Sequence, residues 1–295
     1  MKILLTGSDG FTGRHFAEKA RTAGNEVVPL MADLADSEAL QREVLATAPD
    51  AALHLAAISF VGHADEKAFY SVNVIGTMNL LAALAQLPQA PHRVLLASSA
   101  NVYGNCKASP IFEDQPPAPV NHYAMSKLAM EHMSRTYADR LPMVITRPFN
   151  YTGPGQAVNF IIPKLVDHFV RRAPAIALGN LHVEREFNDV QMVCNAYLQL
   201  LQHGESGETY NVCSGQTYTL QHVMKTLTSI TGHHMQVEVN PAFVRGNEVH
   251  RLCGDSNKIQ KLLALHGTAL DDPSLEGTLR RMLTENLYHP IKTAK

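Results

Sequence analysis

The chain has 295 residues, 45% of them hydrophobic and 18% charged, with a formal net charge of −2 at pH 7 when histidine is neutral. This length and composition predict an ordinary soluble globular protein with a large core, built as one domain plus a lobe. The near-zero net charge gives no electrostatic basis for binding nucleic acid or an anionic membrane.

In the first half of the chain, short apolar segments alternate with longer segments of helical pattern. The predicted strands are Ile3–Thr6, Glu26–Leu30, Ala51–Ala56, Arg93–Ser98 and Met143–Thr146, and the predicted helices are Phe11–Ala23, Ser37–Thr47, Glu66–Leu87 and His122–Asp139. This alternation predicts an α/β fold with a Rossmann-type, doubly wound parallel sheet covered on both faces. Ligands of such sheets bind beyond the carboxyl ends of the strands.

The second half is predicted to form a smaller C-terminal α/β lobe, because prolines divide it into short elements. Residues 1–150 would form the sheet domain and residues 151–295 mainly the lobe, with segments of about 186–215 returning to the sheet domain. The predicted elements are helices Phe160–Arg172, Val190–His203, Leu220–Thr231, Ser256–Leu265 and Pro273–Tyr288, and strands Thr209–Val212 and Gln236–Val239.

Three glycines follow the first predicted strand, in ILLTGSDGFTGRH. Gly7, Gly10 and Gly13 stand between that strand and the next helix. Glycine permits a tight turn and a close approach of the backbone to a pyrophosphate, whose charge the N–H groups of a helix N-terminus stabilise. Although plain turns also collect glycine, this position predicts a dinucleotide site and makes residues 1–150 the dinucleotide-binding domain.

The end of the second predicted strand bears on coenzyme choice. EVVPL is followed by Met31 and Ala32, so the sequence shows no carboxylate at the tip to bond a ribose 2′-hydroxyl, as sites for NAD usually require. The sequence therefore favours NADP(H) over NAD(H). Arg14 could meet the 2′-phosphate of NADP, or it could be a solvated helix residue.

A tyrosine and a lysine are spaced to share one face of a helix. Tyr123 and Lys127 are four residues apart in NHYAMSKLAMEH. An ammonium beside a phenol is expected to lower the phenol pKa from about 10, which would let the tyrosine act as a general acid or base near neutral pH. The strand end VLLASSANVYGN adds the adjacent hydroxyls of Ser98 and Ser99.

These features together resemble the extended short-chain dehydrogenase/reductase superfamily (the NAD-dependent epimerase/dehydratase family) over nearly the whole chain. The G-x-x-G-x-x-G spacing, the Asp33-Leu34 pair and HLAA are similar to its dinucleotide site. The resemblance implies that Ser99, Tyr123 and Lys127 are catalytic and that Asn73 supports the site, although Asp33 could instead cap a helix and Asn73 could serve helix packing alone. The implied cofactor contacts are Gly7, Gly10, Phe11, Thr12, Gly13, Arg14, Asp33, Leu34, Leu55, Ala56, Ala57, Asn73, Tyr123 and Lys127.

The lobe carries segments similar to those of nucleotide-sugar enzymes in this superfamily, namely RPFNYTGPGQ, EREFNDV, YNVCSGQTYTL and VRGNEVHRLCGD. Their details resemble GDP-4-dehydro-6-deoxy-D-mannose reductases, in the same branch as GDP-mannose 4,6-dehydratases. Glu186 stands where this pattern has Asp, and Gly246 where it has Pro. The implied contacts with a nucleotide-sugar substrate are Asn150, Arg185, Asn211, Arg245 and Glu248.

The residues after Ser99 narrow the reaction that the resemblance implies. Related 4,6-dehydratases use acidic residues there for elimination, whereas this chain has Ala100 and Asn101, and Cys106 lies too far along to serve as the cysteine of epimerase-reductases. The leading hypothesis is an NAD(P)H-dependent reductase that converts GDP-4-dehydro-6-deoxy-D-mannose to GDP-D-rhamnose, with hydride transfer to C4 and Tyr123 as proton donor. The alternatives are an NAD-dependent nucleotide-sugar 4-epimerase or 4-dehydrogenase, a dTDP-4-keto-6-deoxy sugar reductase, and a catalytically silent sensor or scaffold. The nucleotide base, the C4 stereochemistry and the physiological direction stay open.

The remaining features concern location and assembly. Four separated cysteines without a C-x-x-C predict reduced thiols in a cytoplasmic protein, and the scattered histidines predict no metal site. The apolar run at the N-terminus is too short for a signal peptide, and Val72–Leu87 is too short and polar for a membrane span. By resemblance, helices Glu66–Leu87 and His122–Asp139 would form the interface of a homodimer, or they could merely cover the sheet.

Overall fold

The structure is a computed structural model that describes residues 1–61, 63–240, 250–271 and 273–288, without the side chains of 286–288. The strands are β1 Lys2–Thr6, β2 Glu26–Pro29, β3 Ala51–His54, β4 Arg93–Ala97, β5 Met143–Pro148, β6 Tyr151–Thr152, β7 Ala175–Leu178, β8 Glu184–Glu186, β9 Asn188–Asp189, β10 Thr209–Val212, β11 Thr217–Thr219, β12 Gln236–Val239 and β13 Arg251–Leu252. The α-helices are α1 Phe11–Thr22, α2 Ser37–Thr47, α3 Glu66–Tyr70, α4 Thr77–Leu84, α5 His122–Ser134, α6 Ile161–Val170, α7 Val190–His203, α8 Leu220–Thr231, α9 Asn257–Leu265 and α10 Leu275–Tyr288.

Six strands form one parallel sheet in the order β10-β5-β4-β3-β1-β2. Strand β1 has β2 on one side and β3 on the other, so the chain reverses its direction across the sheet after β2. This is the doubly wound arrangement that the sequence predicts, and the prediction of the fold class is confirmed. A crevice opens where the order reverses, at the carboxyl ends of β1 and β3, and it is there that such sheets bind ligands.

Both faces of the sheet are apolar, because successive side chains of a strand point to opposite faces. In β1, Ile3 and Leu5 join the core formed with α1 and α7, whereas Leu4 joins the core formed with α2, α4 and α5. All three side chains are fully buried, and burial of each contributes roughly 1.5–3 kcal/mol. Helices on both faces therefore account for the nearly continuous apolar sequence of the strands.

Some elements that lie late in the chain complete this sheet. Strand β10 pairs with β5 at the edge, and α7 contributes buried side chains to the same core as β1. Helix α9 adds Ile259 and Leu263 to that core. A separate apolar core lies among α6, α8, α10 and β7, and it forms the interior of the lobe.

The predicted helix Glu66–Leu87 is divided in the structure. Between α3 and α4 the segment Ser71–Gly76 is π-helical, and α4 ends at Leu84. Side chains of Ile75 and Met78, together with Met125 of α5, are apolar and exposed on these helices, for which the sequence predicts a dimer interface. The homodimer stays a prediction.

Six observed strands are absent from the predicted elements: β6, β7, β8, β9, β11 and β13. They contain two to four residues each, which is too few for hydrophobic alternation to distinguish a strand from a loop. The four cysteines are free thiols, as predicted. Within the described ranges no helix combines the length and hydropathy needed to cross a bilayer.

A buried ion pair joins helix α5 to strand β5. Arg147 donates from Nε and Nη2 to the two carboxylate oxygens of Glu131, at 3.0 and 2.7 Å, and both side chains are at most 5% exposed. The hydroxyl of Ser98 donates to the same carboxylate at 2.5 Å, and Nη1 of Arg147 donates to the Tyr103 hydroxyl at 3.0 Å. Because each charged group is bonded on several sides, the pair fixes α5 against the sheet.

Arg147→Met is expected to lower the free energy of unfolding by about 3–5 kcal/mol, because it leaves the Glu131 carboxylate buried without its partner. Urea denaturation measures this change. The control is Arg280→Met, which breaks the exposed pair with Glu276 and should change the free energy by less than about 1 kcal/mol. Similar losses in the two variants would contradict the prediction.

Candidate active site

The backbone of the glycine loop after β1 lies directly against the backbone that follows β3, at the β1–β3 crevice. Gly7 has φ of 68°, and a Cβ there would lie 2.8 Å from the backbone nitrogen of Ala56. A Cβ on Gly13 would lie 2.1 Å from the carbonyl oxygen of Gly7. Gly10 is the N-cap of α1 and has no side chain to occupy the N–H groups of the first turn. This cradle, which a Cβ would fill, fits the pyrophosphate of a dinucleotide.

Side chains next to the glycine loop turn toward the lobe. The Thr12 hydroxyl is hydrogen-bonded to that of Tyr151 at 2.8 Å, and the Phe11 ring stacks on Tyr151 with centroids 6.1 Å apart. The Arg14 guanidinium donates to the carbonyls of Asp9 at 2.6 Å and Gly155 at 3.4 Å. Their side chains therefore join the loop to β6 and the loop that follows it.

A carboxylate that the strand sequence does not contain lies at the end of β2. Glu43 of α2 accepts the N–H of Met31 on Oε1 at 2.8 Å and the N–H of Ala32 on Oε2 at 2.7 Å. The expectation that no carboxylate stands at this strand end is therefore wrong. The carboxylate comes from helix α2, since Glu43 lies twelve residues after Met31. The segment EVVPL itself contains no signal that could have indicated it.

The Asp33-Leu34 pair lies just beyond this strand end. The Asp33 carboxylate is exposed and accepts the N–H of Ala35 at 2.9 Å. Leu34 packs so closely on Gly76 that a Cβ there would lie 2.9 Å from the Leu34 Cβ. The pair thus borders the crevice on the side of β2, and its contact with a cofactor stays a prediction.

The ends of β1 and β3 are joined by a buried histidine held between two hydroxyls. His54 Nδ1 lies 2.7 Å from the Thr6 hydroxyl, and Nε2 lies 2.8 Å from the Thr77 hydroxyl. Thr77 donates its own hydrogen to the carbonyl of Asn73 at 2.8 Å, so it must accept from Nε2–H, which leaves Nδ1 to accept from Thr6. Burial, with a smaller contribution from the Lys127 charge, lowers the pKa of His54 to about 3.

Thr6 also determines where strand β3 ends. The Thr6 oxygen accepts the N–H groups of Leu55 at 3.1 Å and Ala56 at 3.0 Å, which are thereby removed from the sheet ladder. Strand β3 consequently ends at His54, two residues before the predicted end at Ala56. Leu55, Ala56 and the following Ala57 are partly buried along the crevice, as expected for backbone that borders a ligand.

Asn73 holds the next stretch of backbone. Its Oδ1 accepts the N–H of Ile58 at 3.0 Å, and its Nδ2 donates to the Ile58 carbonyl at 3.3 Å and to the Ser126 hydroxyl at 3.0 Å. Asn73 lies in the π-helical segment and is 1% exposed. π-Helical turns are frequent at functional sites. Here the side chain connects the end of β3 with α5, which carries Tyr123 and Lys127 on one face.

Ser99, Tyr123 and Lys127 come together at the carboxyl end of β4. The Ser99 oxygen accepts from the backbone N–H of Asn101 at 3.2 Å and from its Nδ2 at 3.1 Å. Both lone pairs of the hydroxyl are then used, so Ser99 must donate in its hydrogen bond with the Tyr123 hydroxyl. Lys127 Nζ donates to the Ala97 carbonyl at 2.8 Å.

The electrostatics of Tyr123 differ from the prediction. Burial raises the pKa of Tyr123, and the hydrogen bond with Ser99 opposes that rise, so the expected lowering of the phenol pKa is wrong for the protein alone. Burial also lowers the pKa of Lys127 to about 8, against the attraction of Glu131. Tyr123 is consequently protonated at neutral pH, the state that a proton donor requires.

The predicted substrate contacts fall into three groups. The Asn150 side chain is exposed beyond β5, and Arg185 of β8 is half-buried, with Nη1 2.8 Å from the carbonyl of Glu184. Arg245 and Glu248 lie outside the described residues. Asn211 is fully buried.

The burial of Asn211 corrects its assignment to substrate. Its side chain accepts from the Tyr103 hydroxyl at 2.7 Å and donates to the carbonyl of Ile111 at 2.9 Å. Both ends of the amide are therefore used inside the protein, where they hold β10 to the segment after β4.

Glu186 also has a structural role that the sequence did not indicate. Its buried carboxylate accepts the N–H groups of Gly254 at 2.7 Å, Ser214 at 2.9 Å and Gly215 at 3.3 Å. Burial raises the pKa of Glu186, and these hydrogen bonds oppose the rise. The carboxylate thus ties β8 to the loops after β10 and β13.

At the β1–β3 crevice a glycine loop lies against the backbone after β3, and Ser99, Tyr123 and Lys127 lie beside it. This is the arrangement of NAD(P)-dependent oxidoreductases of the extended short-chain dehydrogenase/reductase type, and this chain is one of them. Residues 28–267 match the family described as GDP-mannose 4,6 dehydratase, and the chain belongs to that family.

Two relatives and one solved structure show how far the likeness extends. A GDP-6-deoxy-D-talose 4-dehydrogenase of Aggregatibacter actinomycetemcomitans is 37% identical, over 89% of this chain and 91% of that protein. A GDP-6-deoxy-D-mannose reductase of Pseudomonas aeruginosa is 33% identical, over 96% of each chain. The structure of RMD from P. aeruginosa complexed with NADPH has a TM-score of 0.88 and 31% identity, covering 96% of this chain and 98% of that one.

The free energy of unfolding is expected to fall as the pH drops from about 6.5 toward 3, partly because of His54. Its pKa is about 3 in the folded protein against an ordinary 6.5, so the unfolded chain binds the proton first. This contribution is complete above pH 6.5 and amounts to at most on the order of 5 kcal/mol lost at pH 3. Urea denaturation from pH 7 to 4 should show a flatter profile for His54→Gln than for the wild type. The exposed His92→Gln serves as control, and parallel profiles for wild type and His54→Gln would contradict the prediction.

Proposed function

We propose that the chain reduces the C4 ketone of GDP-4-dehydro-6-deoxy-D-mannose to give GDP-D-rhamnose. The observation that carries this proposal is the end of β4, which presents the Ser99 hydroxyl beside Tyr123 and continues into Ala100 and Asn101, neither of which is an acid. Ala100 is 2% exposed, and the amide of Asn101 is bonded to Ser99. Elimination across C5 and C6 needs a general base and an acid, which these two residues cannot supply.

The names of the two relatives support the substrate class. Each is named for a GDP-6-deoxy sugar, one with the talose and one with the mannose configuration. Talose and mannose are epimers at C4, so oxidation of either sugar at C4 gives the same 4-keto compound. That shared ketone is the substrate we propose, and the family to which the chain belongs is also named for a GDP-mannose reaction.

The chain's own side chains would serve carbonyl reduction as follows. Ser99 is constrained to donate its hydrogen, so it can polarise the C4 carbonyl oxygen. Tyr123 is protonated at neutral pH and would give its proton to the oxygen as negative charge develops there. Lys127 would hold the nicotinamide ribose beside Tyr123, with its ammonium charged below a pH of about 8. A bound reduced nicotinamide dinucleotide would supply the hydride.

The lobe would hold the nucleotide part of the substrate. Arg185 carries a guanidinium on a half-buried strand, and a guanidinium fork matches the oxygens of a diphosphate. Asn150 is exposed at the end of β5, the neighbour of the strand that presents Ser99. Together with Arg245 and Glu248, these residues would fix the sugar so that the reaction becomes effectively intramolecular.

A second candidate product is GDP-6-deoxy-D-talose, the C4 epimer. It is favoured by the 37% identity to the talose 4-dehydrogenase, against 33% to the mannose-type reductase. The two products differ in which face of the ketone receives the hydride. Proton NMR of the sugar product distinguishes them through the couplings at C4.

The test is to mix the protein with GDP-4-dehydro-6-deoxy-D-mannose and either NADH or NADPH, and to follow the absorbance of the reduced nicotinamide. Tyr123→Phe should lower kcat about 10²–10⁴-fold, because it removes the proton donor. Tyr137→Phe serves as control, since that hydroxyl is exposed and donates to the carbonyl of Met78. Absence of coenzyme oxidation by the wild type with this sugar would exclude the proposed function.

Substitution of Asn101 tests whether Ser99 must be held as a donor. Asn101→Leu frees one lone pair of Ser99, so kcat should fall about tenfold while the KM for the sugar changes little. Asn101→Asp should lower kcat further and restore part of it at acidic pH, because an ionised carboxylate would accept the Ser99 hydrogen. Equal kcat values and pH profiles in all three proteins would contradict the role of Asn101.

A further inference from the structure

The carboxylate of Glu43 occupies two consecutive backbone donors at the end of β2. Leu30 still bonds with the sheet, through its N–H and the carbonyl of Leu5 at 2.8 Å. The next two N–H groups, of Met31 and Ala32, leave the sheet and are taken one by each oxygen of Glu43 at 2.8 and 2.7 Å. Two consecutive N–H groups form a natural anion site, and in this chain the protein fills that site with its own carboxylate.

The position of this carboxylate relates it to the glycine loop. Strand β2 lies directly beside β1, with Pro29 opposite Leu5, and β1 leads straight into Gly7. The carboxyl ends of the two strands are thus at the same edge of the sheet, about 5 Å apart. In sheets of this kind the adenosine ribose of a dinucleotide lies over the end of β2, while the pyrophosphate lies on the glycine loop.

The charges around this edge weigh against a phosphate at the ribose 2′ position. Two of the four lone-pair directions of the Glu43 carboxylate remain for accepting a ribose hydroxyl. The nearby Asp33 carboxylate is exposed and adds negative charge. Of the nearby arginines, Arg14 is bonded to carbonyls of Asp9 and Gly155, and Arg42 lies 3.7 Å from Glu38.

We propose that Glu43 sets the coenzyme choice of this enzyme and selects NAD(H), by accepting the ribose 2′-hydroxyl and repelling a 2′-phosphate. The inference rests on the proposed function only for the use of a nicotinamide dinucleotide. It reverses the preference that the sequence indicated, because that preference depended on an uncharged end of β2. The Pseudomonas structure contains NADPH, whereas the UDP-glucose 4-epimerase structure of Thermus thermophilus, which has the same fold, contains NAD, so the fold alone does not decide the coenzyme.

The experiment measures binding of NADH and NADPH to the purified protein, by fluorescence of the reduced nicotinamide and without any sugar. The wild type should bind NADH more tightly than NADPH. Glu43→Gln should shift the ratio of the two dissociation constants toward NADPH by about tenfold, since it removes one full charge next to the phosphate. Glu38→Gln removes a charge from the exposed start of the same helix, where Glu38 pairs with Arg42, and should leave the ratio unchanged.

Met31→Lys provides a second variant if Glu43→Gln does not fold. The Met31 side chain is 76% exposed at the same strand end, so a lysine there should tighten NADPH binding relative to NADH without altering the core. A wild-type preference for NADPH, an unchanged ratio in a folded Glu43→Gln variant, or no response to Met31→Lys would overturn the proposal. Because no sugar is present, these results are independent of the proposed reaction, which fails separately if the 4-keto sugar oxidises neither coenzyme.

Discussion

The hydroxyl of Thr6 is the contact on which the geometry of the crevice depends. It donates to His54 and accepts two N–H groups from the chain after β3, so one side chain ends two central strands at the same level. Because β3 ends at His54, the backbone at Ala56 lies against Gly7, so closely that position 7 has no space for a side chain. The chain of hydrogen bonds continues through Thr77 to Asn73, and from Asn73 to the helix that carries Tyr123. Cofactor cradle and catalytic helix are therefore parts of one hydrogen-bonded unit.

The ion pair of Glu131 and Arg147 gives the same helix a second attachment. Glu131 lies one turn after Lys127, and its carboxylate raises the Lys127 pKa against the effect of burial. The pair consequently anchors α5 to β5 and also supplies the negative charge that keeps a buried ammonium protonated near neutral pH. Stability and catalytic electrostatics come here from the same buried charges.

The parts of the site that depend on local pattern could be predicted from the sequence. Gly7, Gly13, Tyr123 and Lys127 follow from spacing along the chain, and the structure has the two glycines in close backbone contact and the other two residues on helix α5. The roles of Glu43 and Asn211 could not be predicted in the same way, because each depends on a hydrogen bond between different elements of the fold. Glu43 of α2 bonds the backbone after β2, and Asn211 of β10 bonds Tyr103. Asn211 is fully buried and accepts a hydrogen bond from Tyr103, which lies 108 positions earlier in the chain. Tertiary hydrogen bonds thus decide whether a polar residue faces the ligand or the core.

The π-helical segment between α3 and α4 resolves a conflict of angular phase. A regular α-helix advances about 100° per residue, so residues that face one neighbour early in the helix fix which residues face it later. Asn73 must point toward Ile58 and α5, whereas Leu80, Leu81 and Leu84 must point into the sheet core. A π turn accommodates an extra residue and resets the rotation of everything that follows. The widened turn between α3 and α4 therefore satisfies two geometric requirements, one set by the crevice and one by the packing of the sheet.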